Sequence, residues 1–483
     1  MSRINTNIPA LQAIHRLSVN YADLNLRLER LASGLRINRG SDDPAGLIAS
    51  ENLRAEIRTI QQAIENSTRA NNVIATVEGA MNEVSALLLN LQSLVVATAN
   101  EAGLSEEEVR ANQLEVDSLL DSIDRIANTT RFGSQRLLDG TRAYALSGVD
   151  GGALAGLLVF AARLPPGTTR DIRVTVTQSA ETARLVFLGT NPSGASFTSA
   201  TTIELRGNLG SEVLTFASGT TLDQILAAIN SVTAVTGVTA TVSSPPSAGQ
   251  ASALVLQSNA FGSDAFVSVE PLAGSFIESG NVRTVLRDSG VDAGVLIDGQ
   301  PATVRGFRAE VRSLGLDARI DLTPLFGQAL SSTTFSIAGG GSIFQITPEV
   351  SPNGQLFVGL NSVRTTKLGS AVTGLLYSLR SGSDNDLYSG NFAAAQEIVE
   401  EAIDQVSSYR GRLGTIQRDH IEATVNSQRV TLENITASES IIRDADMAVE
   451  VSALTRAEIL LQATQNTLRI ANSLPSLVLS LLG

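Results

Sequence analysis

Apolar residues at the two ends of this chain recur at the spacing of helices that lie along other helices. Ile14, Leu17, Tyr21, Leu24, Leu28, Leu31 and Leu35 are separated by 3, 4, 3, 4, 3 and 4 residues. That is the a/d spacing of a coiled seam, about 32 Å long at 1.5 Å per residue. Near the other end Leu454, Leu461 and Leu468 fall seven apart, and Ile459 and Leu460 broaden the stripe. Over so few heptads the same spacing also describes one face of an ordinary amphipathic helix. Leu24, Leu28 and Leu31 read as one stripe, with Arg27 between its positions and outside the packing. Apolar seams at both termini invite neighbouring chains, and polymerisation would bury them.

Between the seams the character of the chain changes twice. Gly40-Ser-Asp-Asp-Pro44 breaks the first helix, and Asp42 or Asp43 caps the next. That helix is long: Ile57, Ile60, Ile64, Ser67, Asn71 and Ile74 keep the alternating spacing. Val77, Met81, Val84, Leu88, Leu91 and Val95 resume it after a slip of phase. Gly103 ends the run, and Ser105 with Glu108 has the pattern of a capping box opening a third helix through about Asn128. From Leu138-Asp-Gly140 to about Leu375 the chain is rich in Gly, Ser and Thr. Ile172–Thr177, Ala183–Leu188, Ala253–Leu256 and Phe266–Val269 alternate as antiparallel strands do, and Thr221–Asn230 reads as a short helix. Helical pattern returns at Asn391, with Phe392–Tyr409 and Leu413–Ile442 separated by Gly411 and Gly414. The last helix starts near Asp446 and is interrupted by Pro475.

The expected fold is therefore mainly α at both chain ends, with long helices in coiled-coil or bundle packing, and a β-rich central insertion. Residues 1–40 and 446–483 form an inner coiled pair, and 41–145 with 376–445 a long-helix domain. Residues 146–375 form one or two surface subdomains.

Composition removes several function classes. There is no cysteine, which excludes disulfides, thiolate chemistry and cysteine-ligated metals. A net charge of −13 argues against a nucleic-acid partner, whose phosphates need clustered Lys and Arg. Of the 35 basic residues only Lys367 is a lysine, and so even an arginine bias is as well explained by genome composition as by function. The N-terminal segment lacks the apolar core and cleavage site of a secretory leader. No run approaches 18 consecutive apolar residues, so no membrane span is expected. His15 and His420 are the only histidines, and His420-Ile-Glu422 lacks the second histidine of a metalloprotease helix. Asp42-Asp43 and Asp384-Asn-Asp386 lack calcium-loop spacing and read as caps or turns. Gly339-Gly-Gly341 has no following phosphate-loop signature. No catalytic, cofactor or metal residues are assigned.

Residue by residue, both ends resemble bacterial flagellin. At the N-terminal end the motifs are INTN at Ile4–Asn7, LASGLRINRGSDDPAGL at Leu31–Leu47, EGAMNEV at Glu78–Val84 and IDRIANTTRFGSQRLLDG at Ile123–Gly140. At the C-terminal end they are YRGRLGTIQ at Tyr409–Gln417, ASESIIRDADMAVE at Ala437–Glu450, ILLQA at Ile459–Ala463, AN at Ala471–Asn472 and PSLVLSLL at Pro475–Leu482. The stretch Leu214–Asn230, followed by Leu254–Glu270, resembles a small module recurring in flagellar hook and filament proteins.

The resemblance implies a structural, non-enzymatic subunit that assembles with copies of itself into the helical filament used for swimming. It implies that the termini form the inner tube, with the Leu17, Leu24, Leu31 stripe meeting Leu454, Leu461 and Leu468. It places Arg36, Arg39, Asp42, Asp43 and Asp444 near junctions where subunits make polar contacts. Further implied partners are an export chaperone, a filament cap and hook-associated proteins, and the implied destination is the extracellular filament. An immune receptor reads some members through the stretch matching Leu88–Leu94. Here Asn90 and Gln92 stand in place of the usual arginines, which weighs against recognition. A hook–filament junction protein, and a filament-displayed adhesin or enzyme, are the alternative readings.

Overall fold

The structure is a computed structural model of the 483-residue chain. It describes residues 6–100, 103–164, 167–188, 200–243, 253–274, 286–313 and 315–482, so Ile4 and Asn5 lie outside the described residues. The helices that matter below are α1 (Ile8–Ser33), α2 (Pro44–Thr98), α3 (Glu106–Thr129) and α4 (Leu222–Ser231). They are followed by α5 (Phe392–Thr415), α6 (Ala423–Arg443) and α7 (Met447–Leu482). Contacts divide the chain into two compact units. The first holds residues 1–71, 345–355 and 417–483, and the second holds 72–344 and 356–416.

In the first unit, α1 opens on Asn7, whose Oδ1 accepts from the Ala10 N–H at 3.1 Å. It closes on Gly34, whose φ of 72° is left-handed and whose N–H donates to the Arg30 carbonyl at 2.8 Å. Leu35, expected as the last seam position, therefore lies beyond the helix and bridges to Asp444. Of the two candidate caps for α2, the structure uses Asp43, which accepts from the Gly46 N–H at 2.9 Å. A Cβ at Gly46 would lie 2.4 Å from Asp43 Oδ2 and 2.8 Å from Ile37 Cδ1, so a larger residue there would have to displace the capping carboxylate. Asp446 caps α7 through the Ala448 N–H at 2.9 Å. The expected interruption at Pro475 does not occur; α7 continues to Leu482. A turn over residues 346–354 belongs to this unit too. Its Ile346 carbonyl accepts from the buried Gln428 Nε2 at 2.6 Å and from Ser67 Oγ at 3.4 Å.

In the second unit, the C-terminal part of α2 buries Val77, Met81, Val84, Leu88, Leu91 and Val95. The expectation of no membrane span is not confirmed: α2 contains an 18-residue window of mean hydropathy 1.3, a test that core helices also pass. An unbroken apolar run is not needed for that average, since Ala, Val and Leu lift it across scattered Asn, Gln and Ser. Helix α3 starts on the Ser105–Glu108 capping box and buries Val116, Leu120, Ile123 and Ala127. Gly411 and Gly414 do not break α5. A glycine costs a helix only about 1 kcal/mol, and the irregularity falls afterwards, as a π-helical stretch over Ile416–Glu422.

Among the described residues, most of the β structure of this unit falls into two double-layered modules, with small two-stranded sheets beside them. One pairs a five-stranded antiparallel sheet, ordered Gln300–Pro301, Gly294–Ile297, Arg170–Gln178, Ser332–Gly340, Tyr144–Ser147, with a second sheet. That second sheet is four-stranded, ordered Thr303–Arg305, Arg308–Arg312, Leu316–Leu322, Leu154–Ala162. Alternate residues Ile172, Val174 and Val176 share a core with Ala318, Ile320 and Phe335. The other module places Thr182–Leu188, Ala253–Phe261 and Val238–Ser243 in a three-stranded sheet with α4. A four-stranded sheet of Arg287–Ser289, Phe266–Ala273, Thr201–Gly207 and Ser211–Phe216 completes it. Leu205, Ile225, Ile229, Leu256 and Val267 meet in its core. Its ends are pinned together, because Glu181 and Val291 exchange two backbone hydrogen bonds of 2.9 Å. The first module is tied to α5 by charge. Buried Arg319 and half-buried Arg308 both pair with Glu401, and Arg412 pairs with Glu310 and Asp317. Burial alone would raise the Glu401 carboxyl, but the two guanidiniums hold it below its ordinary value.

Candidate assembly interface

Helices α1 and α7 lie antiparallel along each other. Asn7 Nδ2 donates to the Ala471 carbonyl at 2.8 Å, and Asn20 Nδ2 donates to Thr464 Oγ1 at 2.7 Å. Further along, Arg27 and Arg30 meet the two oxygens of Glu450 at 3.0 and 3.1 Å. On α1 the covered row is Ala10, Ala13, Leu17, Asn20, Leu24, Arg27 and Leu31, and on α7 it is Glu450, Leu454, Ala457, Leu461, Thr464, Leu468 and Ala471. Both rows alternate threes and fours, as side-by-side helices require.

This arrangement splits the expected seam. Leu17, Leu24 and Leu31 lie half-buried in the covered row, as do Leu454, Leu461 and Leu468 on α7. Ile14, Tyr21 and Leu28 do not: they stay 51%, 45% and 47% exposed. Each follows a covered residue (Ala13, Asn20, Arg27) and so points about 100° further around the helix. Arg27, read from sequence as outside the packing, lies inside it. Val451, Ile459, Leu460, Ile470 and Leu474 form the corresponding exposed apolar surface of α7. A heptad of leucines has two flanks, and a companion row can lie on either. Hydrophobicity pointed to 14, 21 and 28, while the small and polar residues at 13, 20 and 27 took the covered side. Asn20, Arg27, Arg30 and Glu450 were thereby missed; the signal was a polar row running beside the leucines.

Of the five junction residues, Arg36 and Asp444 join two loops of the same unit, while Arg39, Asp42 and Asp43 make their contacts on the α1–α2 side. The Arg36 N–H donates to the Arg443 carbonyl at 2.7 Å, and its Nη2 to the Ile442 carbonyl at 2.5 Å. Asp42 Oδ2 accepts from the backbone N–H groups of Asn38 and Arg39, which lowers its carboxyl pKa. Asp43 is the α2 cap, and Asp444 accepts from Ser440 Oγ at 2.6 Å. Arg39 Nε reaches Glu29 at 3.1 Å, with its side chain 71% exposed. Ile37 between them is buried.

Burial by itself would raise the Glu450 carboxyl, but the hydrogen bonds and charges of Arg27 and Arg30 outweigh it and hold the group below its usual value. His15 and His420 are exposed. Asp386 accepts from the Gly382 and Ser389 N–H groups, as a turn-forming aspartate does. Among the described residues no three His, Asp or Glu side chains converge as metal ligands.

Comparison with known proteins adds a direct finding. The bacterial flagellin N-terminal helical region matches residues 4–143, and the bacterial flagellin C-terminal helical region matches residues 396–482. The flagellin hook IN motif matches residues 202–260, within the module formed around α4. A flagellin of Clostridium tyrobutyricum is 28% identical over 97% of this chain and 98% of its own. A flagellin of Bacillus subtilis is 26% identical over 99% of each. The flagellar junction protein of Legionella pneumophila overlaps 82% of this chain and 99% of its own at 13% identity, but its TM-score of 0.28 carries no inference.

Proposed function

The chain belongs to the bacterial flagellin family, and on that premise we propose how its ends and its centre divide the work of building a filament. It is a structural subunit of the flagellar filament, serves motility and is not an enzyme. The observation that carries the proposal is the pair of exposed apolar surfaces left beside a covered row on α1 and α7. Among the described residues, Ile14, Tyr21 and Leu28 on one helix, and Val451, Ile459 and Leu460 on the other, stay 45–60% exposed. Copies of the same chain cover them, and the area removed from water at roughly 25 cal/mol per Å² drives the association.

Residues 1–40 with 446–483 then form the inner part of the filament, 41–145 with 376–445 the long-helix layer, and 146–375 the surface. Arg36, Asp42, Asp43 and Asp444 stiffen the loops at the edge of the inner part. The exposed Arg39 guanidinium is free to exchange Glu29 for a carboxylate of a neighbouring subunit, a contact worth about 0–1 kcal/mol that selects register more than it adds adhesion. Before assembly the open apolar face of α7 needs cover, which suits an export chaperone. Filament cap and hook-associated proteins share the same ends of the subunit, and the destination is outside the cell.

Electron microscopy of the purified full chain, seeded under polymerising conditions, tests this reading. Long helical filaments are expected. Short caps or persistent monomers would favour the junction-protein alternative instead.

A further inference from the structure

The apolar rows of α1 and α7 have a weakness that their chemistry does not repair. Leu17, Leu24 and Leu31 recur every seven residues, and so do Leu454, Leu461 and Leu468. Sliding one helix by a heptad, about 10 Å, puts leucine back against leucine. Apolar burial therefore barely distinguishes the observed register from its neighbours.

Glu450 does distinguish them. Its side chain is 7% exposed, and both carboxylate oxygens are engaged, one by Arg27 and one by Arg30. A slip of one heptad towards the start of α1 sets Glu450 beside Asn20 and Asp23, the residues seven positions before those arginines. There it would lose both cations and gain a like charge. A slip the other way sets it beside Gly34 and Ile37, past the end of α1 at Ser33. The first alternative sets the carboxylate beside a like charge and the second takes it past the helix end; both forfeit the two guanidinium contacts, a loss that apolar contact does not offset. Asp23 itself pairs with Arg27 at 3.1 Å, so the same residue orients the clamp in one register and repels Glu450 in the other.

We propose that Glu450, gripped by Arg27 and Arg30 and excluded by Asp23, locks the register of the terminal helix pair along its length, beyond the ties of Gly34–Arg36 to Arg443–Ala445 at one end, and hence the axial level at which the exposed rows meet other subunits. This rests on the filament reading above.

The chain has no cysteine, so a single introduced pair reports register cleanly. Asn20 lies level with Leu460 and Thr464, so Leu17→Cys with Leu461→Cys captures the observed alignment, and Leu17→Cys with Leu454→Cys the alignment slipped towards Asp23. Both are oxidised in filaments of the full chain, and the intrachain crosslink is quantified by mass spectrometry after dissolution. With Glu450 intact the first pair should exceed the second by roughly tenfold or more, as expected for a penalty above about 1.4 kcal/mol. In a Glu450→Leu background that ratio should fall. An unchanged ratio in Glu450→Leu filaments overturns the proposal. If Glu450→Leu does not assemble, the reversal Asp23→Arg, Arg27→Glu, Arg30→Glu, Glu450→Arg keeps every pairing with its sign inverted. It should restore filaments and the ratio, and failure to restore them also overturns the proposal. Absence of filaments from the unaltered chain would instead sink the filament reading.

Discussion

The central β modules and the terminal helix pair bury their apolar side chains to different degrees of completion. In the strand Arg170–Gln178, Ile172, Val174 and Val176 are at or near zero exposure, because a second sheet of the same chain covers them. In α1 the only hydrophobic residues fully buried are Ala10 and Ala13, and in α7 Ala457 and Ala471 are the ones among the described side chains. The leucines there are half-covered, and larger groups such as Ile14, Tyr21 and Ile459 face outwards. Two helices lying side by side shield one row each, whereas two sheets shield whole faces. The centre is therefore a core finished by one chain, and the ends keep exposed apolar rows that, on the proposed reading, copies of the chain cover.

The most severe way to break this contrast is to remove one helix of the pair. Deleting residues 1–35 or 447–483 should leave the central modules folded, with their thermal transition intact, and abolish filaments entirely. Normal filaments from either truncation would contradict the division.

Single side chains sharpen it. Phe335→Ala empties a site 1% exposed in the central core and should cost the monomer about 3–5 kcal/mol. Whatever folds should still polymerise at the unaltered critical concentration. Leu28→Asp should do the reverse. Its site is 47% exposed in the single chain, so monomer melting should not move. Between subunits, the loss of even about 2 kcal/mol raises the free-subunit concentration at equilibrium more than tenfold. If Leu28→Asp melts early and polymerises normally, the exposed row is misread.

The pair should also respond to acid. A glutamate whose folded pKa is depressed contributes stability that is complete above its unfolded value, about 4.3, and is lost as pH falls through the lower folded value. Amide exchange in α1 within filaments should accelerate over that window. Glu450→Gln, costing roughly 1–3 kcal/mol at neutral pH, should remove this dependence.

The smallest effect expected is from excising a whole module. Residues 182–290 leave and rejoin the second unit where Glu181 and Val291 already pair. Replacing them with a short Gly/Ser link should leave filament formation unchanged by microscopy and critical concentration. Losing filaments while the subunit stays folded would show that this module contributes contacts to the polymer.

Much of the fold is legible in the residue pattern alone. The Ser105–Glu108 box, the Gly40–Pro44 break and the alternation at Ile172–Val176 are local patterns. Each states a backbone preference that neighbouring residues settle among themselves. The α-ends, β-centre order and the long buried stripe from Val77 to Val95 follow from the same periodicities. Local pattern is weakest where two helix-compatible options differ little in local energy. Gly411, Gly414 and Pro475 read as breaks, yet packing around a helix can outweigh the small cost of a glycine and, at a higher cost, accommodate a proline.

What the sequence determined by itself, then, is that both ends are heptad helices in search of partners and that the middle is a sheet-forming excursion. Which side of each leucine row the partner covers was decided only by tertiary structure. A repeat of seven is the same from Ala13 as from Ile14, and it cannot say which flank will be hidden. Three dimensions resolve it, because Asn20, Arg27 and Arg30 find Thr464 and Glu450 across the pair. Pairing those polar groups leaves no buried charge alone, and Ile14, Tyr21 and Leu28 are turned to the outside.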